Sequence, residues 1–177
     1  MRSILLFCFF FVTICSAQIP RYNITISKAV EESLRTRDPF SDNYLPAKFD
    51  YNDTIWSDVK VRYKGHANRY FPKKPIRVRF SKKHLFQKAL DLNLNSMYTD
   101  KSFLREKIAW DLFANMGTLA PQAYYAHLSL NNVPQGLYLS VEKVDKYFLA
   151  NRGRFVFNDK LKAEFRGIFE ELNRRFR

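Results

Sequence analysis

The sequence predicts an α+β domain in which an antiparallel sheet packs against one long helix. Three observations lead to this fold class. Segments in which apolar and polar residues alternate recur along the chain, as is typical of strands with one buried face. One segment repeats apolar residues at a spacing of four, which indicates a helix with a buried stripe. About 160 residues follow an N-terminal leader, enough to bury one hydrophobic core.

The first 17 residues have the order of a secretory signal. Arg2 gives a positive start, and residues 4–12 form an apolar run that is too short to span a bilayer. We expect cleavage after Ala17, which places the mature chain outside the cell or in the cell envelope, with no transmembrane span. Because Cys8 and Cys15 leave with the signal, the mature chain has neither a disulfide framework nor a Cys-ligated zinc.

The charge of the chain is strongly positive, with 30 Lys and Arg against 17 Asp and Glu and a formal net charge of +13. Such a surface favours anionic partners: nucleotides, phosphorylated or acidic proteins, and anionic polymers of the envelope. Nucleic acid is a rival partner on charge alone. The export signal argues against nucleic acid.

The pattern of the first half of the chain predicts a series of strands and turns, with one helical segment. Residues 23–35 begin as a strand and continue as a helix. Residues 46–51 and 55–63 alternate like two strands of a hairpin, with the turn at Asn52-Asp53. Residues 74–80 predict the next strand, which Pro75 places at a sheet edge or at a strand start.

Lys74 occupies an unusual position in that last strand. A period of two places it on the same face as Ile76, Val78 and Phe80. A buried ammonium group needs an anionic partner, so this placement hints at a binding role. Alternatively, the side chain extends past the end of the strand into water. The pattern leaves both interpretations open.

A single helix, ending at Met116, is the clearest element of the sequence. Asp100 or Ser102 supplies its N-cap, and Gly117 ends it. The preceding residues 91–95 predict a strand or turn rather than a calcium loop. The predicted buried stripe of the helix consists of Leu104, Ile108, Leu112 and Met116.

A hairpin and two further helices complete the prediction. Residues 125–130 and 136–142 flank Asn131-Asn132, which tolerate the positive φ of a tight turn. Residues 144–149 predict a short helix, and residues 158–177 predict a basic amphipathic one. That last helix docks on its own domain or lies on a membrane, and we favour docking. Its apolar stripe comprises Leu161, Phe165, Ile168, Phe169, Leu172 and Phe176.

Four sequence blocks occur together and in a fixed order. Residues 61–68 are VRYKGHAN and residues 71–80 are FPKKPIRVRF. Residues 98–105 are YTDKSFLR, and residues 131–145 are NNVPQGLYLSVEKVD. In this order the blocks resemble the signature of the CotH (spore coat protein H) kinase-like family, over roughly residues 20–153.

The resemblance implies an atypical protein-kinase-like fold that uses ATP and Mg²⁺ to phosphorylate secreted or coat proteins. The predicted sheet and helix would then correspond to the nucleotide-binding lobe and hinge of that fold, over residues 18–153. Protein kinases hold the nucleotide phosphates with a strand lysine that pairs with a helix glutamate. The resemblance makes Lys74 the candidate phosphate lysine, with Lys73 as the alternative and Glu106 as the partner.

Further residues become candidates for nucleotide binding through the same resemblance. Arg62, Lys64 and Asn68 flank the Gly65 turn, where a phosphate could be covered. The segment from Glu142 to Asp145 would resemble the hinge beside the adenine. An ordinary solvated loop and ordinary helix charges are the structural alternatives for these groups.

The departures from kinase patterns limit what this chain is expected to do. It has no G-x-G-x-x-G, no H-R-D and no D-F-G motif. The resemblance places the catalytic and metal-binding carboxylates beyond Arg177, so the catalytic residues are not identified and no metal site is predicted in this chain. We therefore expect a truncated kinase domain without turnover of its own. The alternative function is a non-catalytic envelope or surface-binding module with a basic face.

Overall fold

The computed structural model describes residues 18–153, which form a closed barrel of seven strands in the order β1-β2-β3-β4-β5-β7-β6. The strands are β1 Arg21–Thr25, β2 Leu45–Tyr51, β3 Thr54–Tyr63, β4 Ile76–Arg79, β5 Asp91–Asn95, β6 Ala123–Leu130 and β7 Val133–Glu142. The helices are α1 Lys28–Thr36, α2 Arg105–Asn115 and α3 Lys146–Ala150, with a 3₁₀ turn at Ala67–Tyr70. The predicted leader, residues 1–17, and tail, residues 154–177, lie outside the described residues.

One parallel strand pair closes the barrel. β1 pairs antiparallel with β2 and parallel with β6, where Arg21 faces His127 and Ile24 faces Leu130. The side chain of Asn131 reinforces the closure, because its Oδ1 accepts a hydrogen bond from the Ile26 backbone at 2.8 Å. The predicted fold class, an antiparallel sheet packed against one long helix as in a nucleotide-binding kinase lobe, is therefore wrong. The sheet covers its own apolar face by closing on itself.

The hydrophobic core fills the inside of the barrel. Its central aromatic residues are Tyr22, Phe49, Phe80 and Phe86, whose rings pack mostly edge to face at 5.1–5.8 Å between centroids. Burial alternates along β4 and from Val59 to Val61 in β3, as the sequence predicted, whereas Arg62 is buried although the pattern placed it on the outer face. Ile76, Val78 and Phe80 are the buried apolar residues around β4.

Helix α2 is short and lies with its predicted buried stripe outward. Leu104, Ile108, Leu112 and Met116 are 49%, 57%, 56% and 70% exposed, so the prediction that this stripe is buried is wrong. The helix instead contacts the barrel through the opposite side. Phe103 and Trp110 pack there against a small cluster of Met97, Leu139 and Val141.

The predicted turns are confirmed by the backbone. Asn52 and Asp53 have φ values of 48° and 59°, and Asn131 and Asn132 have 51° and 64°. Gly117, with φ of 75°, follows the end of α2. Across residues 18–153, none of the helices combines the length and apolar character that a membrane span requires.

Candidate functional site

A cavity of about 350 Å³ opens beside one end of the barrel. It lies between the end of β3, the 3₁₀ turn, the segment that follows β5 and the start of α2. Four basic or amide side chains, two carboxylates and two aromatic rings give it a mixed polar character. Its lining includes Lys64, Asn68, Phe71, Asn95, Tyr98, Asp100, Arg105 and Glu106.

Lys64 is the central cation of this cavity. The residue directly follows β3, and its backbone N–H donates to the carbonyl of Pro75 at 3.0 Å. Its Nζ donates to Asn95 Oδ1 at 2.5 Å, and Asn95 Nδ2 donates to Glu106 Oε1 at 2.7 Å. A continuous chain of hydrogen bonds thus joins the strand lysine to the helix glutamate through one amide.

The environment of Lys64 makes its charged form less favourable than in water. Burial, helped by the nearby positive charge of Arg77, lowers the pKa of the Lys64 ammonium to about 8, and Glu106 only partly opposes this. Asn95 accepts the hydrogen bond but carries no charge, so it offers no full compensation for the buried cation. An anion bound in the cavity would supply that compensation.

The Gly65 turn places a second polar group over the cavity. Gly65 has a φ of 85°, a conformation that residues with a side chain rarely adopt. A β-carbon added there would lie 3.6 Å from Asn68 Cβ, so the turn and the Asn68 side chain are in close contact. Both the amide of Asn68 and the ammonium of Lys64 line the same space.

The start of α2 forms the opposite wall. Asp100 accepts hydrogen bonds from Ser102 Oγ at 2.6 Å and from the Arg105 backbone at 2.9 Å. The hydrogen bond from Ser102 is the main reason why the pKa of Asp100 is lowered, and the Arg105 backbone adds to it. At the rim, the rings of Phe71 and Tyr98 stack with centroids 5.2 Å apart.

The two lysines that the sequence singled out first do not line this cavity. Lys74 Nζ donates to the backbone carbonyls of Arg69 and Phe71, and so holds the 3₁₀ turn. Lys73 Nζ donates to the Leu137 carbonyl and lies 4.4 Å from the centre of the Tyr138 ring. Burial lowers the pKa of Lys73.

The remaining predicted residues divide between the cavity and other places. Lys64, Asn68 and Glu106 come together in the lining. Arg62 bonds to Asp42 and to the Tyr63 carbonyl, outside the cavity. Glu142 pairs with Arg152 at 2.6 Å, and Asp145 caps α3 through the backbone of Tyr147 at 2.9 Å.

Sequence reasoning missed Asn95 and Arg105 as site residues. Asn95 ends β5, where a period of two places it on the same face as Asn93 and Asp91, so a row of polar side chains was visible. The row alone is a weak signal, because a strand with one buried face ordinarily carries polar residues on the other; its unusual feature is that Asp91 and Asn93 are buried in the folded chain. Arg105 gave no comparable signal, because a basic residue early in a helix is usually solvated.

The cavity fits a phosphate better than it fits a metal ion. Lys64, Arg105 and Asn68 carry donors suited to phosphate oxygens. Its two carboxylates, Asp100 and Glu106, already accept hydrogen bonds from protein groups. In the part of the chain that the structure describes, no group of three or more His, Cys, Asp or Glu is arranged to hold a metal ion.

Comparisons with known proteins agree with the sequence resemblance. The family described as CotH kinase protein matches residues 61–168, more than half of the chain. The chain is 32% identical to the inner spore coat protein H of Bacillus subtilis (strain 168) over 136 residues, which cover 77% of this chain and 37% of that protein. It is 37% identical to an inner spore coat protein H-like protein of the same bacterium over 51 residues, or 29% of this chain and 17% of that protein. The chain therefore belongs to the CotH kinase protein family.

Proposed function

We propose that this chain contributes the nucleotide-phosphate site of a CotH-type kinase that acts on spore coat or other envelope proteins. The observation that carries the proposal is the linkage from Lys64 through Asn95 to Glu106, at the wall of a polar cavity. Family membership and the names of the two relatives support the kinase and coat parts of the proposal. The chain spans 37% of the length of the first relative. Kinase activity of a full-length protein is therefore also something that we propose.

The chemistry of phosphate binding favours Lys64 over Lys74. Kinases keep a strand lysine in place with a helix glutamate so that its ammonium meets the nucleotide phosphates. Lys64 has this connection to Glu106, with Asn95 between them, whereas Lys74 bonds to backbone carbonyls. A phosphate group would favour the charged form of Lys64 and so recover the cost of its burial.

Each neighbouring group has a distinct part in the proposed site. Asn68 and Arg105 donate to phosphate oxygens from the two sides of the cavity. Glu106 orients the Asn95 amide, so that its oxygen faces Lys64. Bound ATP would supply the transferable phosphoryl group. Within residues 18–153 the side chains do not form a complete metal-ligand set, so the phosphate contacts proposed here are those of Lys64, Asn68 and Arg105.

We further propose that this chain alone does not catalyse transfer. Phosphoryl transfer depends on charge neutralisation and positioning by metal-binding and catalytic carboxylates, and residues 18–153 hold no group of three or more His, Cys, Asp or Glu arranged for a metal ion. Incubation of the purified chain with labelled ATP, Mg²⁺ and a basic acceptor protein should leave the acceptor unlabelled. Clear incorporation of phosphate would refute this part. We also propose that the chain is exported to the coat or envelope after residues 1–17 are removed.

Nucleotide titration tests the binding site directly. Isothermal titration of the full chain with ATP should give saturable binding that Lys64→Met weakens by roughly tenfold or more, the loss of one charge-assisted contact. Lys60→Met is the matched control, because it removes an exposed lysine from the same strand. Lys74→Met separates the two candidate lysines, since it should affect folding stability more than ATP affinity.

Two results would contradict the site. Equal loss of ATP affinity in Lys64→Met and Lys60→Met would mean that only general positive charge is involved. Absence of ATP binding by the wild-type chain would instead favour the non-catalytic binding module with a basic face. Circular dichroism of every variant should first establish that the barrel is intact.

A further inference from the structure

The outward face of α2 is the largest apolar feature that the proposed nucleotide site leaves unexplained. Six large apolar side chains on α2 and directly around it remain 46–70% exposed within residues 18–153. Four of them repeat at every fourth position, so they form one continuous stripe along the helix. We define the α2 stripe as Leu104, Ile108, Leu112, Phe113, Met116 and Leu119.

A stripe of this kind is uncommon on the surface of a folded domain. Single exposed apolar residues are normal, whereas contiguous patches mark sites where another element packs. The polar side of an amphipathic helix usually faces water, yet α2 turns Glu106 and Trp110 toward the cavity and the barrel. The arrangement leaves the stripe available for a second layer.

The described chain ends beside this stripe. Arg152 donates from Nη2 to the carbonyl of Ala120 at 3.4 Å, and Ala120 directly follows Leu119. The same guanidinium pairs with Glu142 at 2.6 Å, which fixes the position of the chain at this point. The last described residues, Arg152 and Gly153, are therefore anchored through the Arg152 side chain to the segment that follows α2.

The segment that starts there carries a matching pattern. Residues 161–176 repeat apolar side chains at helical spacing, with lysine and arginine between them. As a helix, residues 158–177 would be about 30 Å long, enough to follow the whole of α2 at about 16 Å. The family match continues to residue 168 and so includes the first part of this segment.

We propose that residues 154–177 fold back as an amphipathic helix and cover the α2 stripe in an antiparallel direction. The starting point beside Ala120 sets the direction, because the segment must run from Met116 toward Leu104. Phe165 and Ile168 then lie near the middle of α2, against Ile108 and Leu112. This surface is independent of the nucleotide site, so either proposal can fail without the other.

Hydrogen exchange of α2 in the full chain tests the docking. Phe165→Asp places a charge in the middle of the proposed contact and should raise the exchange rates of the α2 amides by roughly tenfold or more. Ala163→Asp is the matched control, because residue 163 lies on the opposite side of the same predicted helix. It should leave α2 exchange unchanged, and neither variant should alter exchange in β3 or β7.

A reciprocal pair of variants examines the other surface. Ile108→Asp should release the segment and increase tryptic cleavage at Arg166, whereas Ala114→Asp, also exposed on α2, should not. Light scattering at the same concentrations distinguishes docking within one chain from pairing of two chains, and vesicles with anionic lipid test membrane binding.

Three results would overturn the proposal. The first is α2 exchange that Phe165→Asp and Ala163→Asp change equally or not at all. The second is protection of α2 that disappears on dilution together with a dimer. The third is cleavage at Arg166 that is rapid in the wild type and slows only on vesicles. Protection confined to single chains and lost selectively in Phe165→Asp and Ile108→Asp supports it.

Discussion

Lys64 donates its side-chain hydrogen bond to the neutral amide oxygen of Asn95, at 2.5 Å. A carboxylate at that position would stabilise the charged form of the lysine. A neutral amide instead leaves the ammonium group without an anionic partner. The pKa of Lys64 falls to about 8 because of burial and the proximity of Arg77. The pair therefore holds a cation that is oriented but only partly compensated, which suits reversible binding of an anion.

Replacing Lys64 should change how stability depends on pH. Burial lowers the Lys64 pKa in the folded chain to about 8 from 10.5, so the unfolded state binds more protons between these values. The stability of the wild type should therefore rise relative to Lys64→Met as pH increases from 8 to 10.5. The gain should be at most about 3 kcal/mol. Urea unfolding of both proteins across this range gives the difference.

A matched variant makes the pH experiment specific. Lys60→Met, on the exposed side of β3, should follow the wild type through the same range. Tyr22 and Tyr138 are buried with raised pKa values, but they titrate alike in all three proteins and cancel in the comparison. A flat difference between wild type and Lys64→Met would show that Lys64 keeps an ordinary pKa.

Changing Asn95 to aspartate should give Lys64 an anionic partner within the protein, so that a bound anion is no longer needed to balance its charge. Asn95→Asp would place a carboxylate against Lys64 Nζ and beside Glu106, and so raise the Lys64 pKa. The new negative charge should reduce ATP affinity by roughly tenfold or more. Calorimetric titration measures the loss, with Asn151→Asp on the exposed chain near α3 as the control. Unchanged ATP affinity in Asn95→Asp would show that ATP does not bind in this cavity.

The turn after Lys64 should be sensitive to any side chain at residue 65. Gly65 has a φ of 85°, so Gly65→Ala forces an alanine into the left-handed region and should cost about 1 kcal/mol of unfolding free energy. The new methyl group would lie 3.6 Å from Asn68, an ordinary contact, so any effect on the cavity comes through backbone strain in the turn that carries Asn68. Gly153→Ala is the control, since it has positive φ but open space around it. ATP affinity should fall only in Gly65→Ala.

Local pattern predicted the strands and turns of this chain because their causes are local. The alternation in β3 and β4 and the paired asparagines of the β6–β7 turn depend on neighbouring residues only. Closure of the barrel depends on the parallel pairing of β1 with β6, about 100 positions later in the chain. No periodicity within either strand carries that information, which is why an open sheet against a helix was the expected fold.

Part of the lining of the candidate cavity was named beforehand through the family resemblance. Lys64, Asn68 and Glu106 were named from the sequence, but Lys74 ranked first because it shares a face with buried residues. In the folded chain Lys74 satisfies its ammonium with two backbone carbonyls of the 3₁₀ turn. Helix periodicity likewise identifies the apolar stripe of α2. It carries no information on which element, the barrel or another segment, covers that stripe.

Asp91 should be the most costly carboxylate to remove from the barrel. Its side chain is fully buried, and it accepts hydrogen bonds from Arg79 at 2.8 Å and from Lys143 at 2.5 Å. Burial alone would raise the Asp91 pKa, but the bonds from Arg79 and Lys143 outweigh it and the pKa falls below 3.8. Asp91→Asn leaves Arg79 without its anion, whereas Lys143 keeps Asp145 at 3.3 Å. The substitution should cost about 2 kcal/mol, because both cations retain some access to water.

The pH dependence of this effect separates charge from packing. A carboxylate with a lowered pKa contributes stability above its unfolded value, and that contribution disappears as pH falls through the folded value. The gap in unfolding free energy between wild type and Asp91→Asn should therefore be constant near pH 7 and shrink below about pH 4. Asp58→Asn, an exposed change on β3, should show no such gap. A gap that persists unchanged in acid would contradict a charge effect, since the asparagine and the protonated aspartic acid are both neutral and of similar shape.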